Sequence, residues 1–190
     1  PRPYPGQEGS PYWMTGDEHD DNGHITENPE TRIKMHEKRM SKYRLMLEQI
    51  PQNKQFTLKG EADADLTLVC WGSTFGVLSD AIEPLKAKGI KINILNYRVL
   101  NPLPIATEPI LKKAKKLVIV EFNWGTQLGH LIRMMTGIFI STQIVKYTGR
   151  PMSLNEIVDS VEKIVKKQVK PETDPLTGQS IEKVVLTYGL

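Results

Sequence analysis

Leu117–Arg133 reads LVIVEFNWGTQLGHLIR, and its reading decides the architecture. An apolar, β-branched run ends in Glu121, passes through a polar turn holding Gly125, and opens a helical pattern. That is the strand–turn–helix crossing of a parallel α/β sheet, whose carboxyl edge carries the polar chemistry of such folds. A second crossing stands upstream in Leu66–Leu85, LTLVCWGSTFGVLSDAIEPL. Further strands are predicted at Ile90–Asn96 and Thr142–Tyr147. Ser73 or Thr74 should cap the helix after the first strand, with Val77, Leu78, Ala81, Ile82 and Leu85 inward and Gly89 closing it. Pro84 predicts a kink or an early end there. Asn101-Pro-Leu-Pro104 forces an extended turn, and Pro109 should interrupt the helix that follows it to Lys116. Thr126–Met135 reads as a helix that Gly137 breaks. Ser153-Leu-Asn-Glu156 is a capping box for a last amphipathic helix, which Pro171 ends. Strands alternating with such helices imply βαβ units. Their near-continuous apolar character implies a mostly parallel sheet covered on both faces, an α/β/α sandwich.

Outside that core the chain falls into distinct segments. Residues 1–28 form an extended polar loop, punctuated by Pro1, Pro3, Pro5, Pro11, Gly6, Gly9, Gly16 and Gly23. A loop of that length is functional, disordered, or docked on something else. Asn28–Pro29 is an N-cap followed by proline at the first helical position, opening a basic amphipathic helix over 29–50. Its apolar stripe, Ile33, Met40, Tyr43, Leu47 and Ile50, needs a surface, most simply the sheet domain over 56–170. Phe56–Leu58 reads as a short edge strand. Residues 171–190 read as a loose tail with at most a strand at Lys183–Tyr188.

Composition narrows the function classes. The 190 residues carry a net charge of only +3, with 39% hydrophobic and 25% charged residues, as befits one globular domain with appendages. The basic excess is local, in Arg32–Arg44 and Lys163–Lys170, without the interleaved aromatics of a nucleic-acid site. Cys70 is the single cysteine, so the chain can form no internal disulfide and cannot alone hold an iron–sulfur cluster. No signal peptide or membrane-length apolar run is present, which reads as cytoplasmic. A start at Pro1 rather than Met reads as a processed chain or a piece of a longer one.

Three stretches carry possible chemistry. Gly72-Ser-Thr-Phe-Gly76 opens a helix after a strand, where Gly72, Ser73 and Thr74 could hold an anion on free amides. It lacks both the dinucleotide spacing and the lysine of a phosphate loop, and fits a serine-capped turn better. Glu121-Phe-Asn-Trp-Gly-Thr-Gln127 sets a carboxylate, two amides and an indole at a strand's carboxyl end. Asn123 and Thr126 there suit helix capping, and Trp124 suits an interface anchor. Thr15–His24, TGDEHDDNGH, is the densest polar cluster. It fails as a calcium loop, because Pro29 falls where the bidentate glutamate belongs, and His19 and His24 are weakly spaced for zinc. Glu18 or His19 could serve acid–base chemistry, or the loop could dock structurally. His36 and His130 read as packing or surface residues. Ser73 lacks a nucleophile-elbow setting, which argues against a hydrolase.

The order TGDEHDDNGHITENPETRIKMHEKR, LVCWGSTFGVLSDAI, Asn-Pro-Leu-Pro, VIVEFNWGTQLGHLIR and YTGRPMSLNEI, covering about Pro11 to Lys167, resembles the α subunit of 2-oxoacid:ferredoxin oxidoreductases, the 2-oxoglutarate type in particular. The family's turn usually runs Asn-x-Gly-Gln-Leu, whereas Thr126 is inserted here. The resemblance covers the carboxyl-terminal half of such a subunit, similar to the transketolase carboxyl-terminal domain. It implies a mixed five-stranded sheet with one antiparallel edge, which Phe56–Leu58 would fit.

The resemblance also implies an indirect role. The whole enzyme decarboxylates a 2-oxoacid on thiamine diphosphate with Mg, passes electrons through an iron–sulfur cluster to ferredoxin, and forms an acyl-coenzyme A. The pyrimidine-binding domain, the diphosphate motif of the β subunit and the cluster cysteines are not in this sequence, so no cofactor and no metal is expected on it. The implied role is assembly and shaping of the active-site rim, with Glu18, His19 and Asp20 at the rim and Asn123 and Gln127 joining Trp124 in subunit contacts. The expected partners are the missing domain, the β subunit and, through the whole enzyme, ferredoxin, with a homodimer possible and neither nucleic acid nor membrane expected. Two other readings stand beside it: an autonomous nucleotide-binding domain using Gly72–Gly76, and a regulatory interaction module using helix 29–50.

Overall fold

The computed structural model describes residues 3–187. The expectation at Pro1 and the end of the strand predicted at Lys183–Tyr188 therefore lie outside the described residues. The chain divides after Gln49 into two units. In the first, helix α1 spans Pro29–Gln49 and contains no buried residue. Asn28 caps it as expected: its Oδ1 accepts from the Thr31 amide at 3.0 Å.

The second unit is the sheet domain. A short helix α2 (Gln52–Gln55) leads into β1 (Phe56–Gly60) and β2 (Leu66–Trp71). Then come α3 (Thr74–Ala87), β3 (Ile92–Tyr97), a 3-10 turn at Ile105–Thr107 and α4 (Glu108–Lys113). The chain continues through β4 (Leu117–Glu121), α5 (Gln127–Thr136), β5 (Thr142–Val145) and α6 (Leu154–Val165), and finishes with β6 (Pro171–Thr173) and β7 (Ser180–Val185). The strand order is β1-β3-β2-β4-β5-β7-β6. The five inner strands are parallel, and β1 and β6 close the two edges antiparallel.

The side chains of β2 alternate between two cores. Leu66, Leu68 and Cys70 meet α3 and α6 on one face, while Val69 joins Leu111, Ile119, Leu128 and Ile132 on the face of α4 and α5. This is the three-layer α/β/α sandwich expected, with seven strands rather than five. The two extra strands come from the segment read as a loose tail. The strand read at Lys183–Tyr188 overlaps β7, which starts three residues earlier and is only partly buried, whereas β6, fully exposed, carries no apolar run to announce it. Asp174 folds the turn between them, accepting from the Leu176 amide at 3.0 Å and the Thr177 hydroxyl at 2.7 Å.

Other expectations are corrected locally. Helix α3 neither ends at Pro84 nor takes a cap from Ser73, whose side chain makes no capping hydrogen bond. Burial of Leu78, Ala81, Ile82 and Leu85 against the sheet holds the helix through the proline to Ala87. Gly89, at φ +77°, closes it in the left-handed region. Pro109 starts α4 rather than interrupting it, because the first turn of a helix has no amide to lose.

The capping box of α6 forms as predicted and does more than cap. Glu156 accepts from the Ser153 amide at 2.8 Å, and the Glu156 amide donates to Ser153 Oγ at 3.3 Å. The same carboxylate receives Lys146 Nζ on both oxygens at 2.8 Å, and Lys146 also donates to the Pro151 carbonyl at 2.8 Å. Lys146 is fully buried at the end of β5. Burial works to raise the Glu156 carboxyl, and the hydrogen bonds from Lys146 and Ser153 outweigh it and leave it below its ordinary value. Lys146→Met removes the cation and strands the carboxylate, and should cost about 3–5 kcal/mol in urea unfolding. The double variant Lys146→Met/Glu156→Gln should recover part of that loss, and an additive pair would show that the two residues are not coupled.

Candidate functional site

Two places gather the polar residues, one in each unit. In the second unit the chain leaves β2 for β3 on one side, then crosses to β4 on the other, so the strand order reverses between β2 and β4. Open α/β sheets bind ligands outside the carboxyl ends of the strands at that reversal. The residues there are Cys70 and Trp71 closing β2, Gly72–Gly76 after them, and the Glu121–Gln127 turn after β4.

Glu121 closes β4 at this reversal. It is fully buried, and its Oε1 accepts from the Leu128 amide at 2.7 Å, inside the first turn of α5. Its other oxygen accepts from Asn123 Nδ2. Asn123 Oδ1 in turn accepts from the Gln127 amide at 3.2 Å. Asn123 is thus a cap as expected, but Thr126 is not. Thr126 makes no capping hydrogen bond and sits at φ +48°, in a region that β-branched residues rarely adopt. The carboxylate takes the cap instead, where the helix dipole also favours it. Burial raises the Glu121 carboxyl above its ordinary value, against the lowering effect of Asn123 and the amides of Leu128, Gly129 and Gln127. Burial, with the Glu121 charge second, pushes the Cys70 thiol up to about 12. Its Sγ contacts Asn96 Oδ1 at 3.6 Å, so this cysteine is an inert core residue rather than a nucleophile or thiolate ligand.

The Gly72–Gly76 turn bonds two of its amides within itself. The Phe75 and Gly76 amides donate to the Gly72 and Ser73 carbonyls at 3.3 Å. Thr74 is buried, whereas Gly72 and Ser73 are exposed. Trp124 stays 45% exposed, with Lys183 Nζ 4.9 Å over its ring and 3.1 Å from its carbonyl.

In the first unit the 15–24 cluster is a closed hairpin. Asp20 Oδ1 accepts from the Asn22 amide at 2.9 Å and the His24 amide at 3.1 Å, while the Asp20 and Thr15 amides donate to the His24 and Gly23 carbonyls. Gly23 is required here. It sits at φ +84°, and a Cβ would lie 1.9 Å from the Trp13 carbonyl oxygen. Trp13 stacks on His24 with centroids 5.6 Å apart. Glu18 is gripped by both Arg39 amino groups at 2.9 and 3.0 Å, and that pairing holds its carboxyl below the ordinary value. His19 Nδ1 lies 2.9 Å from the Asp17 carbonyl. Glu18, His19 and Asp20 therefore serve the hairpin, and among the described residues no group of His, Cys, Asp and Glu is placed to hold a metal.

With this geometry established, comparison with known proteins is informative. Residues 57–129 match the family model of the transketolase C-terminal domain. The α subunit of 2-oxoacid:ferredoxin oxidoreductase 1 from Aeropyrum pernix is 36% identical over 180 residues, 93% of this chain and 26% of its own length. A solved 2-oxoglutarate:ferredoxin oxidoreductase from Magnetococcus marinus, with 2-oxoglutarate, coenzyme A and succinyl-CoA bound, is 30% identical and superposes at TM-score 0.67 over 84% of this chain and 27% of its own. The α chain of a probable 2-oxoacid ferredoxin oxidoreductase from Thermoplasma acidophilum is 38% identical over 60% of this chain and 98% of its own, at TM-score 0.44.

The chain belongs to the 2-oxoacid:ferredoxin oxidoreductase α-subunit family. It is the transketolase-C-like portion of such a subunit and spans about a quarter of the length of the curated relatives it matches. Of the residues read as candidates, the structure brings Asn123 and Gln127 into one cap and gathers Glu18, His19 and Asp20 in one hairpin. Sequence reasoning missed Glu121 as the cap. Its signal was a lone carboxylate closing LVIV immediately before an Asn-x-Gly turn.

Because the folded Glu121 carboxyl is raised, the folded state binds its proton more tightly than the unfolded chain does. Its contribution is greatest below the ordinary carboxylate value and is lost as pH rises through the raised one. Glu121→Gln should flatten that decline in urea unfolding at stepped pH. Glu121→Ala, which strands the Leu128 amide, should cost about 1–3 kcal/mol at pH 7. Gly23→Ala should cost about 1–3 kcal/mol of hairpin order, read as loss of the Trp13–His24 stack in fluorescence quenching.

Proposed function

We propose that this chain braces a thiamine-diphosphate-dependent 2-oxoacid:ferredoxin oxidoreductase, and that the coenzyme and clusters sit on other parts of the enzyme. The whole enzyme oxidatively decarboxylates a 2-oxoacid to an acyl-coenzyme A and passes the electrons to ferredoxin. The observation that carries this reading is the buried Glu121 carboxylate capping α5 at the strand-order reversal. Glu121 already supplies the anion that a cofactor's phosphate would supply to the amides of α5. Thiamine diphosphate does not fit the start of α5, where its diphosphate would meet a buried carboxylate, and the turn at Gly72–Gly76 spends the Phe75 and Gly76 amides internally. The same geometry weighs against an autonomous nucleotide-binding domain. An iron–sulfur cluster does not fit either, since the single thiol is buried and strongly protonated. The chain's own work is therefore to hold surfaces. Asn123, Trp124 and Gln127 contribute to subunit contacts, and the hairpin of Glu18, His19 and Asp20 contributes to the active-site rim. Among the described residues no helix is long and apolar enough to cross a membrane.

Deleting this portion from the full α subunit should abolish a stable complex with the β subunit in size-exclusion chromatography with light scattering. A deletion complex that assembles and turns over the 2-oxoacid at the normal rate would overturn the proposal. In the intact enzyme, His19→Ala or Asp20→Asn should raise KM for the 2-oxoacid several-fold while leaving assembly unchanged.

A further inference from the structure

The carboxyl edge of the sheet carries a row of partly exposed aromatic rings, of which Trp124 has Lys183 Nζ 4.9 Å over its face. Trp71 ends β2, Phe122 and Trp124 follow β4, and Tyr147 follows β5. They are 39%, 39%, 45% and 48% exposed. The strands β2, β4 and β5 are neighbours, so at about 4.8 Å per strand the ends that carry these rings lie within about 10 Å. Scattered exposed hydrophobics need no explanation, but large rings following three adjacent strands do. Aromatic residues of this kind anchor protein interfaces.

The charge of the same edge is one-sided. The loops that leave the parallel strands here, 72–73, 98–104, 122–126 and 146–153, contain no aspartate or glutamate. They do contain the exposed cations Arg98 and Arg150. The helices α3, α5 and α6 also begin at this edge and add the positive ends of their dipoles. At the opposite edge Glu61, Asp63 and Asp65, in the turn before β2, are paired with Lys86 and Lys115. Glu121 occupies the start of α5 and the capping box closes the start of α6, so neither of these helix starts seats a small anion. The cleft lined by Lys116, Ser141 and Glu182 opens at the amino ends of the strands instead.

We infer that the row Trp71, Phe122, Trp124 and Tyr147, flanked by Arg98 and Arg150, is the docking surface for an acidic, partly apolar protein surface on another subunit of the oxidoreductase. The inference rests on the bracing role above and gives it a place and a polarity. The apolar rings supply affinity, and the uncompensated cations steer encounter and fix orientation.

The test uses the full α subunit and its purified β subunit in biolayer interferometry at stepped salt, with hydroxyl-radical footprinting of the complex. Trp124→Ala should weaken binding about tenfold or more. Arg98→Glu/Arg150→Glu, both at exposed positions that should leave the fold intact, should slow association at low salt and flatten its salt dependence. The four rings should be protected in the complex. If the β subunit binds both variants as it binds wild type and leaves the rings reactive, this surface is excluded while the bracing role stands. If the β subunit does not bind at all, the bracing role falls with it. Protection of the rings in the α subunit alone, together with a dimer in sedimentation, would assign the edge to a second copy and overturn the inference.

Discussion

A buried carboxylate turning a strand into a helix is the constraint around which the sheet domain is organised. Glu121 lies where a chain leaving β4 must reverse direction, and the amides that open α5 need an acceptor that is not water. Placing the acceptor on the strand itself ties the helix start to the sheet with no intervening ligand. The cost is desolvation of a carboxylate, visible in its raised proton affinity. The return is a turn that tolerates Thr126 in the left-handed region and holds Trp124 at the surface. Lys146 and Glu156 solve the neighbouring problem with paired charges, joining the end of β5 to the start of α6. Both devices stand at the carboxyl edge of the sheet, which open α/β folds otherwise keep for ligands.

That arrangement explains why the fold and the chemistry separate here. Related architectures hold a bound group at the strand-order reversal by leaving helix-start amides free. Here the amides are spent, on Glu121 at α5 and on Ser153 at α6. A fold can keep its topology while its ligand crevice is closed from within, because topology rests on the two apolar cores and not on the polar edge. What remains accessible at that edge is aromatic and basic, a character suited to macromolecular contact.

The inner strands were legible because burial on both faces demands apolar runs. LTLVCW and LVIVE begin and end in the structure where the sequence breaks in pattern. The capping box at Ser153–Glu156 and Asn28–Pro29 were legible because their chemistry is local, decided within four residues. The edge strand β6 was not, because a strand with one partner and no burial needs no pattern, although Asp174-Pro-Leu-Thr-Gly178 carried a turn signal; β7, paired on both sides but only partly buried, was legible only as a strand at Lys183–Tyr188. Pro84 misled for the opposite reason: local propensity lost to the packing of Leu78, Ile82 and Leu85. Glu121 lay between these cases. Its residue type was visible, but only the three-dimensional crossing shows which amide, seven residues on, it accepts from.

The hairpin of the first unit was legible as a cluster and misleading as chemistry. A run of Asp, Glu, His and Asn invites a metal or an acid–base pair, yet Glu18, His19 and Asp20 are each engaged within the unit. Asp20 binds two amides, Glu18 two guanidinium nitrogens, and Gly23 lets the chain pass against Trp13. Polar density in a sequence measures how many hydrogen bonds a segment must make. A loop without a core must make them with itself, and the residues best able to do so are those that catalysis also uses. A segment so internally satisfied acts through its shape. That is why such a hairpin, set at the rim of a substrate channel as proposed above, should govern access and binding more than the chemical step.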